Sequence, residues 1–270
     1  MLRDITLGQY YQTESVIHKM DARVKLGGTL LYIISLFFFK NFAGYLIAAL
    51  FLGVVIKLSK VPFRFMVKGM KTIVFLLMIT VIFNLFLTPG TPLVSFWKFT
   101  ITIEGLRIAI SMAIRLTLLI IGSSIMTLTT TPNNLTDGME KMMRPLKVFK
   151  VPVHEVAMMM SIALRFIPIL LEETDKIMKA QIARGADFES GNLMKRAKAM
   201  VPLLVPLFIS AFRRANDLAM AMEARCYRGG EGRTKMKPLI YKKRDFIAYA
   251  CIGCYLIISI AVGRIDFMQF

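Results

Sequence analysis

Two arginines carry the clearest recognition chemistry in this chain. Arg184 lies in Ala183-Arg184-Gly185 and Arg225 in Ala224-Arg225-Cys226, each near the end of a long, Met-rich, helix-forming stretch. A guanidinium is a planar fork of donors matched to carboxylates and carbonyls, and small flanking residues leave it unobstructed. That chemistry grips an acidic partner and breaks no bond. A simpler account exists for either residue alone. A cation in a last helical turn gains roughly 0.3–1 kcal/mol from the macrodipole, and Asp187 or Glu223 could pair with it. Recurrence of the same small-Arg-small pattern at the ends of two comparable helices is harder to explain as capping.

The other chemistry-bearing residues are sparse. No Gly-x-x-x-x-Gly-Lys-Ser/Thr phosphate loop occurs. Gly229-Gly230-Glu231-Gly232-Arg233-Thr234 is rich in glycine but has the wrong spacing and no lysine, and reads as a linker. His18 and His154 have no cysteine cluster around them, so a metal site is not expected. Cys251 and Cys254 stand one turn apart within an apolar run and read as small apolar residues. Asp137-Gly138 lacks the downstream aspartates that lipid phosphotransferases use to hold a metal and diphosphate. A membrane-bound enzyme of lipid metabolism, or a channel or transporter subunit independent of ATPases, are the rival classes. Arg115 lies inside an apolar run, where a cation is costly and needs a partner. Asn84 is one candidate.

The elements that position these residues are membrane elements. Of the 270 residues 56% are hydrophobic and the mean hydropathy is +0.60, well beyond soluble domains. A net charge of +18 would suggest nucleic acid in a soluble chain. Here the retention of bases on the cytoplasmic side accounts for it, and no nucleic-acid partner is expected. Five spans are expected, at about 26–39, 42–55, 72–87, 106–128 and 246–262. The bases Arg3, Lys19, Arg23 and Lys25, then Lys57, Lys60, Arg64, Lys68 and Lys71, alternate with base-poor loops. They place the N-terminus in the cytoplasm and the C-terminus outside, in a cell membrane. Trp97, with Phe96 and Phe99, fits an external interfacial anchor.

Between the fourth and fifth spans lies a basic cytoplasmic segment with roughly twice as many bases as acids, yet with apolar helices. The expected division is therefore 1–130 as a four-span membrane domain, 131–243 as a cytoplasmic helical domain and 244–270 as a last span. Three helical pieces are expected in the middle part: 131–149, 153–183 and 193–225. Val156, Met160, Ala163, Ile167 and Leu171 fall on one face of the second, and Met200, Leu204, Leu207, Ala211, Leu218 and Met222 on one face of the third. Ala211, Ala215 and Ala219 form a ladder of small residues of the kind that lets helix backbones approach, so the two long helices are expected to cross there. The fold class is an all-α integral membrane protein. The methionines of these helices offer either soft core filling or an adaptable surface for interchangeable partners.

Longer strings carry a family resemblance. Gln181-Ile182-Ala183-Arg184-Gly185-Ala186-Asp187 and Ala221-Met222-Glu223-Ala224-Arg225-Cys226-Tyr227-Arg228-Gly229 resemble the paired X-Arg-X motifs of the T component (EcfT, CbiQ-like) of energy-coupling factor transporters, a class of ABC importer. Gly8-Gln9-Tyr10-Tyr11, Ser15-Val16-Ile17-His18 and Asp21-Ala22-Arg23-Val24-Lys25-Leu26 are similar to that family's start, so the resemblance spans nearly the whole chain. It implies a non-catalytic scaffold for vitamin or other micronutrient uptake. Its three cytoplasmic coupling helices would hold two ABC ATPase subunits through residues 183–185 and 224–226. It would also bind a membrane-embedded S component that captures the substrate, with Ala211, Ala215 and Ala219 at the helix crossing or S-component contact. The chain itself would bind no cofactor; ATP and Mg would be used by the partner ATPases.

Overall fold

The computed structural model describes residues 10–39, 41–96, 99–188, 190, 192–230, 232, 234, 236 and 238–264. In chain order it contains α1 (Ala22–Phe38), α2 (Phe42–Ser59), α3 (Phe63–Leu87), strands β1 (Pro92–Phe96) and β2 (Phe99–Thr102), α4 (Ile103–Thr129), α5 (Pro132–Met142), a 3-10 segment (Arg144–Phe149), α6 (Val153–Ala183), α7 (Leu193–Ala224) and α8 (Lys243–Arg264). The expected helical membrane class holds. Among the described residues its one exception is the antiparallel β1–β2 ribbon between α3 and α4. Trp97 lies outside the described residues, so the expected aromatic anchor is not described as a whole.

Among the described residues, 10–141 and 239–264 form one compact unit, and 142–238 form another. The expected domains divide the chain by membrane side, which compactness does not measure. In the first unit, α1 lies antiparallel to α4 and parallel to α8. The Lys25 ammonium donates to the Thr129 carbonyl at 2.8 Å, the Asp21 amide donates to Asp245 Oδ1 at 2.9 Å, and Ser35 Oγ meets the Tyr255 hydroxyl at 2.7 Å. Gly28 is what admits α8: a Cβ there would sit 2.7 Å from Ile252 Cδ1. Tyr32, Leu36, Tyr45, Leu52, Leu118, Ile121 and Tyr255 make up the core. Asp21 starts α1 by accepting the Arg23 amide, and its carboxylate pairs with the Arg23 guanidinium at 2.7 Å. Burial pushes this carboxyl up, but the Arg23 bonds and the Lys25 charge outweigh it and hold it below its ordinary range.

Four helices are long and apolar enough to cross a hydrocarbon core: Phe42–Ser59, Ile103–Thr129, Val153–Ala183 and Lys243–Gly263. A multi-pass membrane protein follows. α1, with 17 residues, packs against α2, α4 and α8. α3 starts nine residues earlier than hydropathy suggests, because Arg64, Lys68 and Lys71 dilute its first turns. α6 qualifies on its first half alone; Glu172, Glu173, Asp175, Lys176 and Lys179 crowd its second half.

Arg115 is not partnered by Asn84, which donates to the Thr80 carbonyl of its own helix at 2.7 Å. Its guanidinium instead donates to the Tyr45 hydroxyl at 2.6 Å and to the Phe39 carbonyl at 3.3 Å. Phe39 is the C-cap of α1, so its carbonyl has no helical donor. The arginine supplies one where lipid cannot.

Candidate functional site: two arginine-tipped helix ends

α6 and α7 form an antiparallel hairpin within the second unit. Three contacts fix the register. Gln181 Nε2 donates to the Pro202 carbonyl at 3.4 Å. Arg214 Nη2 meets Glu173 Oε2 at 2.6 Å. Ile162 and Leu218 line one groove. The first contact has a local cause: Pro206 has no N–H, which leaves the carbonyl four residues earlier open to an outside donor. The pairing thus extends along the helices. The ladder Ala211, Ala215 and Ala219 lines an apolar groove of about 270 Å3 between them, opposite Ile162, Phe166 and Leu170. Ala211 is half-buried, and Ala215 and Ala219 are exposed.

Glu173 is a side chain that ties the two helices together and that sequence periodicity missed. It accepts from Ser210 Oγ at 2.6 Å and from Arg214. Ser210 and Arg214 share one face of α7 at i, i+4, but no pattern within either helix reveals a partner in the other. The Ser210 hydrogen bond, then Arg214, hold the Glu173 carboxyl below its ordinary value of 4.5. A depressed carboxylate stabilises the fold fully above that value and loses its contribution as pH falls through the lower, folded one. Because the pair is part-exposed, about 0.5–1 kcal/mol is expected from it. Thermal melts at pH 7 and pH 3 should show a wild-type loss of up to that size beyond the loss of Glu173→Gln, with only part of it present at pH 4; equal pH profiles would rule the contribution out.

The two arginine tips share one backbone motif. At the end of α6 the Gly185 amide donates to the Ile182 carbonyl at 2.9 Å and the Ala186 amide to Gln181 at 2.9 Å, with Gly185 at φ 89°. At the end of α7 the Cys226 amide donates to Glu223 at 2.8 Å and the Tyr227 amide to Met222 at 3.0 Å, with Cys226 at φ 56°. Both are Schellman caps, and each places its arginine at the C-cap with the next residue left-handed. Both guanidiniums are exposed, and among the described residues neither forms an ion pair. Asp187 accepts from the Ser190 amide at 3.1 Å. The small residue after each arginine therefore has a backbone role: a left-handed position that glycine adopts freely and other L-residues at a cost of roughly 1–2 kcal/mol. Cys226→Gly should stabilise its tip by about 1 kcal/mol, and Gly185→Ala should destabilise the other by a similar amount. Thermal unfolding measures both, and opposite signs at the two positions are the distinguishing result.

The tips lie at opposite ends of the hairpin. Arg225 borders a groove of about 420 Å3 together with Met158, Ile162, Leu218 and Met222. From Met158 to Arg184 is 26 residues, about 39 Å of helix. One hairpin thus presents two equivalent cations at its two ends.

Helices of spanning length and an arginine-tipped hairpin define a multi-pass helical membrane protein. Sequence comparison agrees. The family described as cobalt transport protein (CbiQ) matches residues 13–236. The energy-coupling factor transporter transmembrane protein EcfT of Clostridium kluyveri is 56% identical over 262 residues, covering 96% of this chain and 97% of that protein. The proteins of the same name from Ruminiclostridium cellulolyticum and Bacillus subtilis are 54% and 47% identical over 247 and 246 residues, covering 92% and 91% of this chain and 92% and 93% of those proteins. The chain belongs to this family, the transmembrane components of energy-coupling factor transporters.

Proposed function

We propose that the chain is the coupling subunit of an ATP-driven importer of vitamins or other micronutrients, and that it has no catalytic activity of its own. Arg184, between Ala183 and Gly185, seats one ABC ATPase subunit. Arg225, between Ala224 and Cys226, seats the other. The partners use ATP and Mg. A substrate-capturing S component rests on the apolar face that includes Ala211, Ala215 and Ala219. The hairpin, and with it the segment 131–243, lies in the cytoplasm; the N-terminus is inside and the C-terminus outside, as the distribution of bases indicates. The segments 1–130 and 244–270 are the membrane-spanning parts.

The observation that carries this reading is the pair of matching caps with exposed arginines about 39 Å apart on one hairpin. A lever that transmits motion needs rigid arms and gripping ends, and these ends are fixed by backbone hydrogen bonds. Their guanidiniums are left to form charge-assisted bonds with carboxylates or carbonyls of other chains. Co-expression with the two candidate ATPases and affinity capture of this chain tests it. Recovery of both ATPases supports the reading, and stable purification of the chain with neither refutes it.

A further inference from the structure

The 3-10 segment Arg144–Phe149 and the two residues after it are exposed throughout, including side chains that water solvates poorly: Val148 is 85% and Phe149 78% exposed. In a 3-10 helix side chains at i and i+3 eclipse, so three columns run along it. One column is Arg144 and Lys147, continued by Lys150 as the left-handed C-cap. The second is Pro145 and Val148, continued toward Val151, and the third is Leu146 and Phe149. The segment therefore has one basic edge and two apolar edges, and all the apolar side chains of these columns are exposed.

We propose that this segment is an interfacial anchor for the anionic leaflet of the bilayer. Phe149, Val148 and Leu146 would enter the boundary between headgroups and acyl chains, with Arg144, Lys147 and Lys150 on lipid phosphates. Three observations favour lipid as the occupant. Bases beside deeply exposed apolar side chains match an anionic interface, where long basic side chains reach up to phosphates while their stems stay in apolar surroundings. An aromatic residue suits that depth. The chain also tethers the segment: Arg144 follows Gly138 by six residues, and Gly138 packs against Ala22 at the start of α1, so Arg144 stays within roughly 20 Å of that point. The inference rests on the cytoplasmic placement of this region but not on ATPase docking, so the two can fail separately.

The chain has a single tryptophan, which permits a direct test. Full-length Trp97→Phe/Phe149→Trp protein is reconstituted in nanodiscs of phosphatidylcholine alone or with one-third phosphatidylglycerol. Emission and quenching by brominated acyl chains are then read. The expected result in the anionic discs is a blue-shifted emission and at least twofold quenching by brominated lipid. Both should fall in pure phosphatidylcholine and in a Lys147→Glu/Lys150→Glu background. Val148→Trp gives a second reporter should the first variant misfold. Emission typical of water with no bromine quenching overturns the proposal. So does protection that arises only when partner subunits are added, since the segment is then a protein interface. Equal quenching in both lipids and in the charge-reversed background overturns the role of anionic headgroups.

Discussion

Arg184→Ala/Arg225→Ala is expected to lose both ATPases on affinity capture and to abolish uptake, while the purified subunit keeps its melting temperature. Each arginine is an exposed C-cap whose backbone bonds do not involve its side chain, so truncation removes a contact without removing the cap. When a charged side chain that forms hydrogen-bonded pairs in an interface is truncated, the loss is about 2–5 kcal/mol. At 1.4 kcal/mol per tenfold that is roughly 30-fold to several-thousand-fold in affinity. Each single variant should weaken one seat, and the double variant should exceed either. Arg→Lys at the same positions separates charge from geometry. Lysine keeps the cation and loses the planar fork, so it should restore part of the binding at most. Wild-type capture and uptake by the double alanine variant would remove these residues from the interface.

Much of this architecture is written in local sequence signals. The limits of α6 and α7 fall within a residue of those expected; Gly185, suited to the left-handed turn, marks the end of α6 directly. Pro152 sits just ahead of α6, where a missing N–H costs nothing. The spans are legible for the reason that lipid demands continuous apolar helices. What escaped depends on pairing between distant segments. Arg115 required a carbonyl from the α1–α2 turn and a phenol from α2, and hydropathy along α4 cannot point to either. Glu173 required the antiparallel register of α6 and α7. The β1–β2 ribbon is a short irregular stretch after Pro89-Gly90 where span-length patterns carry no information. The second cap was half legible: Gly229-Gly230 suggests a stop, but the left-handed residue is Cys226, three positions earlier, which composition would not nominate.

The alanine ladder has a geometry that changes what its substitution should do. Had Ala211, Ala215 and Ala219 all been closed against α6, leucine at the middle position would wedge the helices apart. Ala215 and Ala219 are exposed instead, and they border a groove of about 270 Å3, room enough for a few added carbons. Ala215→Leu should therefore change hairpin stability by no more than about 0.5 kcal/mol, as for surface substitutions generally. The groove, however, would be filled, and capture of an S component by the assembled transporter should fall at least tenfold, in line with the loss of one well-packed contact region. Ala211→Leu is the control at the half-buried rung. There overpacking should cost about 1–3 kcal/mol of the hairpin itself. The two measurements, melting temperature and S-component capture, move independently under this reading. If Ala215→Leu leaves capture intact, the groove is not the seat. If it instead lowers the melting temperature as Ala211→Leu does, the ladder serves the approach of α6 to α7, and the seat for the S component must lie elsewhere on the exposed apolar face of α7, where Leu204, Phe208 and Phe212 follow one another at intervals of four residues.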